Sequence, residues 1–213
     1  MDFPHGTASG ANTAPLSSDR DTLDDDSNSH KDPRTTTNGP RTIGVKAEGI
    51  QYVDRHAVRI ITKSDKDEIV IIYAKKGNYY KLPGGGVEKG EDHRIAGERE
   101  AMEETGCKVA LDRDCFAVTE EWRNDLHQTS YCYAARLVEH TGATELTEDE
   151  LVDGLQHEWI SIRAAIEKMK ATQPTSELGR FIRERDLSFV ETYADRNGAS
   201  LPSVEDQKCQ SSD

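Results

Sequence analysis

Two β-branched runs, Tyr52–Lys63 and Glu68–Lys75 (EIVIIYAK), are separated by the polar tetrapeptide SDKD. β-Branched side chains suit a pleated, half-buried surface, and a polar turn between two such runs marks a hairpin. Cys107–Leu111, Phe116–Trp122 and Thr129–Val138 (TSYCYAARLV) read as further strands, and Trp159–Ile162 as a short one. Three helices are expected. The first covers Asp92–Glu104, and the second, rich in Ala, Glu and Lys, covers Ile162–Lys170. The third, Ser176–Tyr193, places Leu178, Phe181, Ile182, Phe189, Val190 and Tyr193 on one face by helical spacing. Strands and helices that do not alternate strictly predict an α+β or mixed α/β fold. No internal repeat is visible.

The flanks differ from this middle. Residues 1–48 are rich in Asp, Ser, Thr, Asn, Gly and Pro, and almost empty of large apolar side chains. Such a segment buries too little surface to offset its chain entropy and is expected to be disordered. Residues 194–213 read the same way. The chain thus divides into a tail over 1–48, a folded domain over 49–193 and a tail over 194–213, both tails being solvated extensions. A chain of 213 residues has room for one ordinary domain and no second one of similar size.

Charge narrows the partners. The net charge is −13, whereas a nucleic-acid polymer calls for a basic face. An acidic protein still handles an anionic substrate when cations stand between the two. The N-terminus lacks a basic and apolar leader, and no stretch approaches the roughly 20 apolar residues that span a bilayer. These features predict a soluble, cytoplasmic protein without a membrane partner. Cys107, Cys115, Cys132 and Cys209 form no C-x-x-C pair, so they are read as reduced thiols and not as a zinc site.

The chemistry concentrates in Leu82–Cys107, LPGGGVEKGEDHRIAGEREAMEETGC. Pro83 is followed by Gly84, Gly85 and Gly86, a run that lets a ligand approach the main chain closely. A helix from Asp92 would stop at Thr105-Gly106. On it, Glu100, Glu103 and Glu104 lie three and four residues apart, hence on or beside one face. Left alone they repel one another, and the helix dipole opposes them further. A hard cation relieves both, and Mg²⁺ and Mn²⁺ prefer carboxylate, carbonyl and water oxygen. By spacing alone, a solvated acidic face remains the commoner outcome for such a cluster.

This stretch resembles the Nudix box, G-x5-E-x7-R-E-U-x-E-E-x-G-U, where U is bulky and apolar. Gly85, Glu91, Arg99, Glu100, Glu103, Glu104 and Gly106 meet every fixed position. Ala101 and Cys107 occupy U positions and are small for them, a departure that touches packing and not the acids. The resemblance extends over roughly residues 50–193. It implies a Nudix-type α/β/α sandwich with a mixed sheet and a loop–helix–loop motif. It also implies Mg²⁺ or Mn²⁺ held by Glu100, Glu103, Glu104 and the carbonyl of Gly84. Glu91 and Arg99 would tie loop to helix, Arg99 through a two-pronged carboxylate contact. Glu103 is one candidate for the proton-accepting group; in many relatives an acid from a later loop takes that role or adds a metal ligand, and Glu148, Glu150, Asp153 and Glu158 are the alternatives here. Gly97 and Ala101, one turn apart, would let the helix sit close on the sheet.

The implied activity is hydrolysis of a diphosphate linkage in a small phosphorylated metabolite. Substrate contacts are expected from Lys81, Gly85 and Gly86, with Lys75, Lys76 and Arg123 as further cations. Trp122, Tyr79 and Tyr80 are rings that would stack on a base, although a core or half-buried role is the commoner one for them. A nucleoside diphosphate derivative or nucleoside triphosphate is the leading expectation. The alternatives are an inositol pyrophosphate, a prenyl diphosphate, or a Nudix fold kept as a non-catalytic sensor. The segment Trp122–Asp125 lacks the proline and tyrosine that accompany the box in relatives cleaving ADP-ribose and diadenosine polyphosphates. The oligomeric state stays open, a homodimer included.

Overall fold

Six consecutive buried residues, Ala57–Thr62, mark the centre of a sheet that is covered on both faces. The computed structural model describes residues 39–198. Its strands are β1 Arg41–Gly44, β2 Val53–Lys63, β3 Glu68–Ala74, β4 Tyr79–Lys81, β5 Cys107–Leu111, β6 Ala117–Arg123, β7 Leu126–His140 and β8 Leu155–Ser161. Its helices are α1 His93–Thr105, α2 Glu148–Asp153, α3 Ile162–Ala171 and α4 Glu177–Arg196. The strands join in one mixed sheet in the order β1-β6-β7-β2-β3-β4, with β5 also on β7 and β8 also on β3. The β2–β7 and β1–β6 pairs are parallel and the others antiparallel.

Alternation along β2 assigns its two faces. Val58 and Ile60 pack beneath α1 with Ala96 and Ala101, while Ile61 packs with Met169 of α3 and Phe189 of α4. Helices therefore cover the sheet on both sides, the α/β/α arrangement expected. The glycine stretch runs along β2. The Val58 N–H donates to Gly85 O at 2.9 Å and the Ile60 N–H to Pro83 O at 3.0 Å. Gly97 and Ala101 have the packing role expected of them: a Cβ on Gly97 would lie 2.6 Å from Leu111 Cδ2, and Ala101 is buried against Ile60.

Several local readings shift. Residues 41–44, expected within the disordered tail, form β1, because parallel pairing with Thr119–Trp122 supplies hydrogen bonds that a short polar segment cannot provide for itself. Residues 1–38 and 199–213, holding most of both expected tails and Cys209, lie outside the described residues. Helix α4 runs past Tyr193 to Arg196, beyond the expected start of the C-terminal tail. Its apolar face holds at Phe189, Val190 and Tyr193, but Leu178 is 44% exposed, and the buried positions before Phe189 include the charged Arg185 and Asp186. Strand β8 begins at Leu155, and Ile162 belongs to α3, whose N-terminus Ser161 caps. Strand β4 and helix α2 were not anticipated. Cys107, Cys115 and Cys132 are buried. Among the described residues no helix is long and apolar enough to cross a membrane.

Candidate active site

Helix α1 has local reasons for both of its ends. Asp92 accepts the Arg94 N–H at 2.9 Å as N-cap, and Gly106 closes the helix in the left-handed region at φ 66°. The stop falls directly after Glu104 and Thr105, which confines the three acids to the last turns. There the dipole disfavours negative charge, and each acid is met by a cation of the protein.

Arg99 is the hub. Its Nε donates to Glu91 Oε1 at 3.0 Å and its Nη2 to Glu91 Oε2 at 3.2 Å. Nη2 also reaches Gly86 O at 3.2 Å, while Nη1 reaches Glu100 Oε1 at 2.9 Å and Glu103 Oε2 at 3.1 Å. One planar guanidinium thus joins the loop, the residue that closes it and two helix acids, which a lysine cannot do. The contact with Arg99 holds the Glu91 carboxyl below its ordinary value, and its carboxylate neighbours hold Arg99 firmly protonated.

Glu104 is the buried member, 4% exposed. Burial pushes its carboxyl upward, opposed by Lys81 Nζ at 2.5 Å and the Gly84 N–H at 2.8 Å. Gly85 is where it is because Glu100 leaves no room: a Cβ there would stand 2.3 Å from Glu100 Oε1. Gly84 adopts φ 135°, and a Cβ on it would meet Val58 O at 2.2 Å.

The structure therefore brings Gly84, Gly85, Gly86, Glu91, Arg99, Glu100, Glu103, Glu104 and Lys81 into one locus. Lys81, expected on substrate phosphates, is taken up by Glu104. Among the described residues, no three His, Cys, Asp or Glu side chains form a ready cage for a metal. The reason is local, since Glu100 and Glu103 share Arg99 and both Glu104 oxygens have protein donors. The donor chemistry nonetheless fits a hard cation. Carboxylate oxygens stand beside a glycine loop in which Pro83, Gly85 and Gly86 offer carbonyls to protein donors, whereas among the described residues Gly84's carbonyl accepts none.

Three of the four later acids have structural partners. Glu150 completes a capping box with Thr147, Asp153 pairs with Lys76 at 3.3 Å, and Glu158 pairs with Lys168 at 2.6 Å. Glu148 opens α2 without such a tie among the described residues. The chain just before α2 approaches the acids through its backbone, the Glu145 N–H donating to Glu103 O at 2.7 Å.

Sequence reasoning missed a buried polar group behind the loop: Arg59, Glu121, Gln128, Arg185 and Asp186. One signal was available, since Arg185 and Asp186 fall four residues before Phe189 and Val190, on the face of α4 that the apolar pattern assigns to the core. Arg55 was missed as well. It lies on β2 beside Gly86, with its Nη1 donating to Gln128 Oε1 at 2.5 Å.

Comparison with known proteins agrees with this geometry. A NUDIX domain profile matches residues 53–181. A human protein named diphosphoinositol polyphosphate phosphohydrolase 3-alpha is 30% identical over 124 residues, covering 58% of this chain and 73% of its own. An RNA pyrophosphohydrolase of Roseobacter denitrificans is 37% identical over 70 residues, 32% of this chain and 43% of its own. The solution structure of the E. coli ORF135 protein superposes with a TM-score of 0.51 at 16% identity, covering 71% of this chain and 96% of that one, a likeness of fold alone. With the profile spanning most of the folded residues and the box complete, the chain belongs to the Nudix family and carries the full acid set of a Nudix-type pyrophosphohydrolase.

Proposed function

We propose that this protein is a Mg²⁺- or Mn²⁺-dependent hydrolase that cuts a phosphoanhydride bond in a small phosphorylated metabolite. The observation that carries the reading is the Arg99 hub, which locks Glu91, Glu100 and Glu103 against the glycine loop while Glu104 is tied to Gly84. Glu100, Glu103, Glu104 and the Gly84 carbonyl would hold the cations. When bound, the cations neutralise phosphate oxygens and lower the pKa of a water. Glu103, 37% exposed and the most open of the three acids, takes the proton of the attacking water as the P–O–P bond breaks. Arg99 orients Glu103, Glu91 orients Arg99, and Lys81 balances the charge of Glu104. Gly85 and Gly86 let the substrate approach the main chain. An intact acid set with every supporting partner in place favours catalysis over a non-catalytic sensor.

For the substrate, a nucleoside diphosphate derivative or nucleoside triphosphate is one reading. A specific observation favours a second. Of the rings expected to stack on a base, Trp122 is stacked on His127 at 3.8 Å, with Lys46 over it and Tyr52 at its edge. Tyr79 is buried, and Tyr80 packs on Tyr73 with Lys168 over it. None of the three offers an unengaged face to a base. Arg55, exposed beside Gly86, adds a cation for a phosphate. A compact diphosphate without a base, of the diphosphoinositol polyphosphate class named in the human relative, suits this surface better.

The test is turnover of a panel of nucleoside triphosphates, nucleoside diphosphate derivatives and diphosphoinositol polyphosphates, with and without Mg²⁺, products being separated. Mg²⁺-dependent release is expected, and Glu103→Gln should lower it at least about 100-fold without unfolding the protein. Wild-type turnover in that variant at saturating Mg²⁺ would sink the assignment.

A further inference from the structure

We propose that Asp186 of α4 is a positioning residue that sets the shape of the glycine loop, so that the C-terminal helix determines where the Gly84 carbonyl points. The consequence for turnover rests on the hydrolase reading above; the loop contact itself does not.

Asp186 is fully buried between two buried guanidiniums. Arg185 Nε donates to its Oδ1 at 2.6 Å, and Arg59 Nε stands 3.8 Å from the same oxygen. Arg185 Nη1 continues to Glu121 Oε1 at 3.0 Å, and Gln128 Nε2 reaches Glu121 Oε1 at 3.2 Å. Burying two cations and two anions is a poor route to stability, since apolar side chains of similar volume commonly serve as well or better. The use of the group shows in where its remaining polar atoms go.

The second oxygen of Asp186 accepts no arginine hydrogen bond among the described residues. Oδ2 accepts the Leu82 N–H at 2.8 Å, a bond joining residues 104 apart in sequence. Pro83 has no N–H, so Leu82 carries the last main-chain donor before Gly84. At the other end of the turn, Arg59 Nη1, which also bonds Val58 O at 2.5 Å, reaches Gly85 O at 3.3 Å. One charged pair thus touches the chain on both sides of Gly84. Between these holds, Gly84 donates its N–H to Glu104 and turns through φ 135°. With the flanking residues held, the direction of the Gly84 carbonyl follows.

A core role alone would make every member of the group equivalent. Glu121 provides the contrast, because it shares the burial and the Arg185 contact but has no bond to the loop among those described. The experiment measures amide hydrogen exchange by NMR on the metal-free protein for Asp186→Asn, Arg59→Gln and Glu121→Gln, together with kcat and KM. Asp186→Asn should exchange Leu82 and Gly84 amides at least about tenfold faster than Glu121→Gln does. It should also lower kcat about tenfold, with KM changed less than about threefold. Arg59→Gln keeps the Leu82 bond and should speed exchange at Gly84 more than at Leu82, which carries the test if Asp186→Asn does not fold. Unchanged loop exchange in a folded Asp186→Asn protein overturns the proposal, as does equal acceleration in Glu121→Gln. A wild-type protein inert toward the whole panel sinks the hydrolase reading and leaves the exchange result standing.

Discussion

Arg99 and Glu91 meet through two bonds, Nε to Oε1 at 3.0 Å and Nη2 to Oε2 at 3.2 Å, and this contact joins the end of the glycine loop to the helix that carries the acids. The planar fork of the guanidinium gives the contact its geometry, and the same fork leaves Nη1 free for Glu100 and Glu103. Arg99→Lys keeps the charge and loses the fork. It should lower stability by about 1–3 kcal/mol and turnover by about 10- to 100-fold. Denaturant unfolding and kcat check this together; wild-type kcat in the lysine variant would refute the hub.

Glu91 also sets a pH dependence. Its carboxyl is held below its ordinary value of 4.5 by Arg99. A depressed carboxyl contributes stability that is fully present above its unfolded pKa and is lost as pH falls through the lower folded value. The stability gap between wild type and Glu91→Gln should therefore be constant above the ordinary carboxyl value of 4.5 and shrink as pH falls below it through the depressed folded value. Urea unfolding of the metal-free protein at a series of pH values reads it out. A gap that widens on acidification contradicts the assignment.

Gly84 and Gly85 should fail differently. Gly84→Ala forces an alanine to φ 135° with its Cβ 2.2 Å from Val58 O, and should destabilise the fold by about 2–4 kcal/mol. Gly85 has no such φ, and the three atoms nearest its Cβ all belong to the Glu100 carboxylate. Gly85→Ala should leave the melting temperature within a few degrees of wild type and lower turnover at least about tenfold. Thermal melts beside initial rates decide; the same stability loss in both variants would count against this account.

Lys81 supplies the last contrast. Paired with buried Glu104 at 2.5 Å, its replacement strands a carboxylate whose pKa burial already raises. Lys81→Met should lower the stability of the metal-free protein by at least about 2 kcal/mol. A lysine serving only substrate phosphates would instead raise KM and leave the unfolding midpoint in place.

What the sequence by itself determines here is what neighbours along the chain enforce. Asp92 and Gly106 end α1 through bonds spanning two to five residues, and the helical period alone puts Glu100, Glu103 and Glu104 together, so the motif and its helix are legible without coordinates. The apolar runs likewise reveal β2, β3, β5, β6 and most of β7. Tertiary structure decides the rest. Strands β1 and β4 are short and exist through pairing with β6 and β3. Lys81 meets Glu104 because β4 delivers it to the end of α1. The bond from Asp186 to Leu82 crosses 104 residues, and no local pattern specifies it. A hydrogen bond or ion pair of this kind becomes favourable only after the hydrophobic layers have removed water and brought its partners within reach, so its place is set by packing and not by spacing along the chain.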